Sequence, residues 1–480
     1  MEELNRKKIN FSEIIQGMKV IALDQDAFSR FSVDKRRIKN ALEMKNKEDL
    51  RNMSQYFYHN SGEYRRLVDY FGSILTNDYV IIPAVEREML QEKRFQNQFK
   101  KVMEYSEKAN IQATCGQIAQ IVIRDGAFYG YERDLDGVIT LQQLPSSFCR
   151  SRFKVRGVYT IEFDYSFFSQ YTGDELVEIL SAFPEEMQEG FRKYLRNSID
   201  ERWQILDPIY ARCHMLEDEI PMLAPVFLDL IELEDYKKID KIKSGLDIYK
   251  IIVQKIPLNS DNELTFHLDE LKQFHQNLRK MVSNSNVDVA TTPCEVDVID
   301  LQDRAQSVKD DVKKALDIVY STAGTPTLLF NSGSKSGSVG LRESIRVDEN
   351  LMYPLLMQYE IWYRNRFEEI AKSVPIKIIF PPISHFNRKE MMELYDKGAT
   401  QGFPTKILAM AAIGLKQTDF DFLLNYENEM LKLHERMIPT SSSYQTPGEG
   451  GRPEQEEPLS DEGEQTRDKR KNDDRASGGE

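Results

Sequence analysis

From Ala224 to Pro257 apolar side chains recur every third or fourth position, at Leu233, Tyr236, Ile239, Ile242, Leu246 and Tyr249. That spacing predicts one long amphipathic helix, ended by Pro257, with a stripe that has to be buried against something. The opposite face carries Lys237, Lys238, Lys241, Lys243 and Lys250, which taken alone read as a solvated lysine face. Residues 302–321 predict a second long helix, with Val308, Val312, Ala315, Leu316 and Val319 on one side. Between the two, a helical stretch at 263–282 and a short apolar alternation at 287–301 predict a small α/β insert. A chain built this way must accommodate a paired rod with an insert at its end.

The remaining segments are mainly helical, with one β-rich island. Residues 47–59 and 61–76 predict two helices, the second with Tyr64, Leu67, Val68, Phe71, Ile74 and Leu75 at helical spacing. Two more are expected at about 87–108 and 111–124. The period then changes: GAFYGYERD, GVITLQQL, SRFKV and GVYTIEFDYSFF alternate or are rich in β-branched and aromatic residues, and Asp136-Gly137 is a hairpin signal. An antiparallel sheet is expected over about 126–168. From 173 to 216 the pattern is helical again, with Pro184 in the first turn of a new helix. After the second long helix, TAGTPTLLFNSGSKSGSVG is a Gly/Ser-rich loop, followed by a third long helix from Leu341 to Lys372, kinked at Pro354. Residues 374–382 predict a strand and 388–437 a small helical cap. The fold is expected to end near Met437, because 438–480 has almost no large apolar side chains and cannot offset its ordering entropy. The expected class is α+β, mainly α.

Composition and motifs restrict the chemistry. A net charge of −14 argues against coating nucleic acid or an anionic membrane by bulk attraction. Cys115, Cys149, Cys213 and Cys294 are far apart, without a CxxC pair, so neither a disulfide framework nor a zinc site is indicated. No stretch approaches the ~20 apolar residues of a membrane span, and the first residues lack an apolar signal core, so a soluble intracellular chain is expected. Gly333-Ser334-Lys335-Ser336-Gly337 is not a nucleotide loop, which requires adjacent Gly-Lys after a strand; here the lysine follows serine and a helix precedes. Asp134-Leu135-Asp136-Gly137 lacks the further oxygen ligands of a calcium loop and reads as a turn. His267 and His275 share a helical face without an acidic partner at ligand spacing, and no Gly-x-Ser-x-Gly elbow occurs. Asp310/Asp311 and Glu368/Glu369 sit in amphipathic patterns and read as solvated faces. Neither an enzyme activity, a metal nor a cofactor is expected.

Several strings agree with one family. Ser61-Gly62-Glu63-Tyr64-Arg65-Arg66-Leu67 through Val80-Ile81-Ile82-Pro83, Leu228-Asp229-Leu230-Ile231-Glu232-Leu233-Glu234-Asp235-Tyr236, Ser338-Val339-Gly340-Leu341-Arg342-Glu343-Ser344-Ile345 with Glu360-Ile361-Trp362, and Gly451-Arg452-Pro453 with Leu459-Ser460-Asp461-Glu462-Gly463-Glu464 resemble portal proteins of tailed double-stranded DNA phages of the Gram-positive-phage type. The resemblance implies a wing (1–215 with 341–387), stem helices (216–251 and 301–322), a clip (252–300), a tunnel loop (323–340), a crown (388–437) and a tail (438–480). It also implies a ring of about twelve subunits closed by rotation at one capsid vertex. Terminase, major capsid and scaffolding proteins and a head-completion adaptor are the implied partners, with double-stranded DNA passing through and no membrane. The tunnel loop residues Asn331, Ser332, Ser334, Lys335 and Ser336 are then expected to touch DNA without reading sequence, and Lys237, Lys238, Lys241 and Lys243 to face either the channel or the outside of the stem. Localisation in the virion after assembly in a bacterial cytoplasm follows. Two other classes compete: another structural capsid or adaptor protein, and a nucleic-acid enzyme of the packaging machinery, which requires a phosphate loop or acidic metal cluster.

Removing residues 439–480 is expected to leave folding and assembly intact; loss of the soluble oligomer in sedimentation analysis would contradict the reading of that segment.

Overall fold

The structure is a computed structural model that describes residues 33–433 apart from 136, 217, 248–249, 256–267, 283–286, 293–301, 331–337 and 373. Three short helices open the described chain: α1 (Lys35–Glu43), α2 (Lys47–Asn60) and α3 (Gly62–Ser73). They are separated by side-chain caps. Asp34 accepts from the Arg37 N–H at 2.8 Å, Asn46 from Asp49 at 3.2 Å and Ser61 from Tyr64 at 3.3 Å. Each cap satisfies a backbone donor that a helix start leaves without a partner, which fixes where each helix begins. Strand β1 (Val80–Pro83) and helices α4 (Lys93–Lys108) and α5 (Ile111–Asp125) follow.

The β-rich island is three small antiparallel sheets. Strand β2 (Ala127–Leu135) pairs with β3 (Val138–Gln143) across a turn in which Gly137 takes φ +87° and donates its N–H to Asp134 Oδ1 at 2.8 Å. Short strands β4 (Cys149–Arg150), β5 (Lys154–Val155), β6 (Val158–Tyr159) and β7 (Glu162–Asp164) come next, then α6 (Gly173–Ser181), α7 (Glu185–Arg196), β8 (Trp203–Ile205) and β9 (Ala211–Met215). The sheet orders are β3-β2-β9, β4-β7-β8 and β5-β6. This corrects two expectations: there is not one sheet, and residues 203–205 and 211–215 are strands rather than helix. The reason lies in β9, where all five residues are buried. Ala211, Cys213 and Met215 enter one core, while Arg212 and His214 are buried on the other face, so the strand alternates in direction without alternating between water and core.

The second half contains α8 (Phe227–Asp247), β10 (Lys250–Lys255), α9 (Leu268–Val282), β11 (Val287–Thr292), α10 (Gln302–Thr322) and α11 (Ser338–Ile370), then β12 (Ile376–Ile379), α12 (Arg388–Thr400), α13 (Lys406–Ile413) and α14 (Gln417–Asn425). The helix expected to reach Pro257 therefore ends at Asp247. Ile251, Ile252 and Val253 are β-branched, a composition that favours extended backbone, and β10 pairs in parallel with β11. With α9 between them the insert is a βαβ unit, the connection parallel strands require. Helix α11 continues through Pro354, and β12 pairs antiparallel with β1, from Val80↔Ile379 to Pro83↔Ile376. The chain divides into two compact units at Phe420, and the described part of the second contains the end of α14 and a turn at Tyr426–Met430.

Two cores organise the first unit. One gathers Phe57, Tyr64, Phe71, Phe227, Tyr359 and Trp362 from the helices; the other gathers Tyr129, Phe163, Tyr165, Phe168, Phe183 and Phe191 behind the sheets. In the second core α7 approaches Tyr165 so closely that a Cβ on Gly190 would lie 2.1 Å from the Tyr165 hydroxyl oxygen. Tyr165 is itself buried and cannot swing away. Alanine for glycine inside a helix ordinarily gains stability, but here the sign reverses: Gly190→Ala is expected to lower stability by about 1–3 kcal/mol in denaturant unfolding.

Candidate functional site

Helices α8 and α10, of 21 residues each, pack together as an antiparallel hairpin with the βαβ unit at its far end. At 1.5 Å per residue each is roughly 31 Å long. The hairpin is footed in the helical core by Phe227, Leu230 and Leu233 of α8 and Ala315, Val319 and Tyr320 of α10, all buried. Further out the burial stops. Tyr236, Ile239 and Ile242 on α8 are 40%, 44% and 63% exposed; Ile318, within the footed part of α10 between buried Ala315 and Val319, is also 53% exposed. The stripe that defines this helix in the sequence is thus only partly covered by its own chain.

The four lysines of the basic face are not equivalent. Lys237 Nζ lies 2.6 Å from Glu63 Oε1 at the start of α3, tying hairpin to body. Burial pushes the Glu63 carboxyl up, but the lysine's hydrogen bond and charge outweigh it and hold the group below its ordinary value. Lys238 makes a 3.7 Å ion pair with Asp235, within the same helix. Lys241 is exposed, and the Lys243 side chain lies outside the described residues. Lys35 of α1 pairs with Glu232 and Asp235 at 3.4 and 3.7 Å. The basic stripe is therefore interrupted by carboxylates, and one of its members braces the hairpin. Asn331, Ser332, Ser334, Lys335 and Ser336 lie outside the described residues; the chain leaves them bracketed by Phe330 and the first turn of α11.

Elsewhere in the first unit lie buried polar groups, most of which sequence patterns did not single out. Arg212 of β9 is fully buried and donates to Tyr363 Oη at 2.8 Å, His214 Nε2 at 2.9 Å and Cys115 Sγ at 3.5 Å. Burial and the adjacent Arg212 charge push His214 well below the usual histidine range, so it stays neutral and can accept. Burial pushes the Cys115, Cys149 and Cys213 thiols up, which keeps them protonated and unreactive. Arg366 donates to Glu132 at 2.8 Å, and Tyr105 donates to the same carboxylate at 2.5 Å. On α11, Asp348 and Glu349 are buried side by side: Tyr70 donates to Asp348 at 2.8 Å, while Ser384, Tyr353 and Asn387 face Glu349. A sequence signal existed only for Asp348-Glu349, as two charges on the apolar side of α11. Among the described residues no three His, Cys, Asp or Glu side chains cluster as metal ligands, and no helix is long and apolar enough to cross a membrane. No protein-family model matches the chain, and no curated protein matches it.

Burial, reinforced by the Glu349 charge and opposed by the Tyr70 hydrogen bond, raises Asp348 from 3.8 to about 6. The folded state then holds its proton more tightly than the unfolded state, so this group's contribution to stability falls as pH rises from about 4 to about 6. Asp348→Asn keeps an acceptor for Tyr70 and removes the charge. The variant is expected to gain stability relative to wild type at pH 7 and to lose that advantage near pH 4, measured as the difference in unfolding midpoints across that range.

Proposed function

We propose that the chain is the portal subunit of a tailed double-stranded DNA phage: an α+β protein that assembles as a ring at one capsid vertex, through which the genome is packaged and ejected. The observation that carries the reading is the uncovered apolar face of the long hairpin. Tyr236, Ile239, Ile242 and Ile318 line a projecting rod, and a repeated head-to-tail contact between copies buries such a face in every subunit when rotation closes. The order of elements supports it further: body, hairpin with a tip unit, Gly/Ser segment, long helix and helical cap succeed one another as wing, stem, clip, tunnel loop and crown do in the family it resembles.

The charge suits a conduit. Each phosphate neutralised by a protein cation adds counterion-release affinity, and a channel that grips DNA impedes its passage. A chain of net charge −14 avoids that, and lysines diverted into pairs with Glu63 and Asp235 contribute little net attraction. Sparse contacts from Asn331, Ser332, Ser334, Lys335 and Ser336 then touch the backbone without reading sequence. In this role the subunit holds no metal or cofactor, hydrolyses nothing itself, and presents its ring to terminase, capsid and scaffolding proteins and a head-completion adaptor in the virion.

Negative-stain electron microscopy and solution mass test the reading together. Rings with a duplex-wide hole and a mass near a dozen subunits are expected, and Ile239→Glu with Ile242→Glu is expected to give monomers with an unchanged unfolding midpoint. A wild-type chain that remains monomeric under assembly conditions would overturn it. Replacing 331–338 by a short neutral turn is expected to spare rings and impair DNA retention in heads.

A further inference from the structure

We infer that a furrow between α8 and α10 receives the outer half of α8, around Ile239 and Ile242, from the next copy of the chain. The inference rests on the portal reading and supplies the second surface of its ring contact. Two depressions lie along the hairpin. One, at the foot, encloses about 570 Å³ and is lined by Ile220, Met222 and Val226, by Ala323 just past α10, and by Leu351 and Pro354 of α11. The other encloses about 190 Å³ between Tyr236 of α8 and Ala315 and Ile318 of α10. On α8 the lining residues Asp229, Glu232 and Tyr236 recur every three or four positions, in step with Val226; on α10 Asp311, Ala315, Ile318 and Thr322 do the same. Both depressions therefore open on the same side of the two helices and form one furrow. From Val226 to Tyr236 it runs roughly 15 Å, the length of about three helical turns.

The chemistry of the furrow selects its occupant. Its floor is apolar, and its walls carry Asp218, Asp229, Glu232 and Asp311 against one cation, Lys314, which pairs with Asp311 at 3.6 Å. Lys35 and Lys45 reach Glu232 and Asp218 only as exposed pairs at 3.4 Å, which hold little. A helix that fits brings apolar side chains to the floor and a cation to the walls. Residues 237–242 of α8, Lys-Lys-Ile-Asp-Lys-Ile, offer both, with Ile239 and Ile242 uncovered. Lys237 and Lys238 are engaged by Glu63 and Asp235, so exposed Lys241 is the cation that turns to a neighbour. The apolar floor supplies the free energy of the contact, and the charges set its register. A copy cannot fill its own furrow with this segment, because α8 continues as one helix that carries it away from the foot. At about 100° per residue Ile242 lies about 120° around α8 from Tyr236, so projecting face and furrow are different surfaces. Each copy then offers one to the copy before it and the other to the copy after it, and the contact repeats until rotation closes it. Ile242 is also about 9 Å along the helix from Tyr236. Copies at equal height in a ring therefore meet with their hairpins leaning from the ring axis.

The test is cross-linking in the full chain carrying Cys294→Ser, in which Cys115, Cys149 and Cys213 are buried. Cysteines are placed at the exposed positions Ile242 and Ile318, singly and together, and treated with a short bismaleimide after rings have been scored by electron microscopy. Ile242→Cys with Ile318→Cys is expected to give a ladder that extends past the dimer toward a dozen subunits. Each single variant, and Ile242→Cys with Val177→Cys on the exposed side of α6, is expected to give none. Ile318→Asp is expected to abolish rings with an unchanged unfolding midpoint. Wild-type rings beside rings without a ladder in the double variant, or rings that persist in Ile318→Asp, overturn the furrow as the contact and leave the portal reading standing. A ladder that stops at the dimer overturns the head-to-tail arrangement, and an equal ladder in the single variants or the Val177 control overturns the pairing of these two surfaces. A wild-type chain that forms no rings overturns the portal reading and this inference with it.

Discussion

The rest of the structure depends on a buried guanidinium. Arg212 sits on β9 with 1% of its surface exposed, and its partners are neutral: the Tyr363 hydroxyl, a histidine nitrogen, a thiol, and the faces of Trp362 and Tyr363 at 4.5 and 4.6 Å. Moving a charge out of water costs several kcal/mol unless hydrogen bonds and polarisable surfaces replace the solvent. That requirement is directional. It aligns Tyr359, Trp362 and Tyr363 on one side of α11, and the Trp362 Nε1 hydrogen bond to the Ala211 carbonyl at 3.1 Å confirms the register of helix on strand. Breaking the set would leave a charge without partners in the interior.

A second guanidinium extends the same junction. Arg366, one turn beyond Trp362 on α11, reaches Glu132 on β2, which Tyr105 of α4 also engages. The side chains of Gln358 and Glu360 satisfy strand and loop backbone at Met215 and Phe380. Helix α11 is thereby fixed to both cores along its C-terminal half, while its N-terminal half runs out past Asp348 toward the exposed turns at Val339. The hairpin of α8 and α10 is footed on a different part of the helical core, where Phe227 of α8 meets Phe57 of α2 at 5.1 Å and Tyr64 of α3 at 5.6 Å.

Patterns that obey one local rule were legible in the sequence. The expected helix starts at 47 and 61 fall beside the caps Asn46 and Ser61, and the turn at Gly137 follows from the dipeptide that favours it, whereas the helix capped by Asp34 was not expected. The long helices α8, α10 and α11 were visible because their apolar residues keep a helical period. Strand β9 was not, since Arg212 and His214 are polar residues buried by a tertiary network that no local window contains. The end of α8 was misplaced because Ile251, Ile252 and Val253 continue an apolar pattern that fits either backbone, and only pairing with Val287–Thr292 decides between them. Of the site, Lys237 was visible as part of a basic stripe, but its pairing with Glu63, 174 residues away, was not. The contacts of Phe330 with Tyr70, Tyr320 and Arg66 carry no signal at all, because the fold brings these residues together.

Amphipathicity states that a face requires cover without stating what supplies it. On α8 the period predicts burial of Leu233, Tyr236, Ile239 and Ile242 alike, yet only Leu233 is buried by its own chain. On α8 burial ends where the helix leaves the body, so its inner turns serve folding and its outer apolar side chains stay uncovered. An acidic chain adds a condition to any such contact between copies. Like charges repel across distances shorter than the ~10 Å screening length of moderate salt, so the apolar contribution must exceed that repulsion for subunits to join. At roughly 25 cal/mol per Å² of apolar surface buried, side chains of the size of Tyr236, Ile239, Ile242 and Ile318 contribute several kcal/mol together. Lys238 of α8 and Lys314 of α10 pair with Asp235 and Asp311 at 3.7 and 3.6 Å, so they contribute little net charge of either sign there. With those lysines neutralised by carboxylates of their own helices, any joining of copies rests on the apolar contribution.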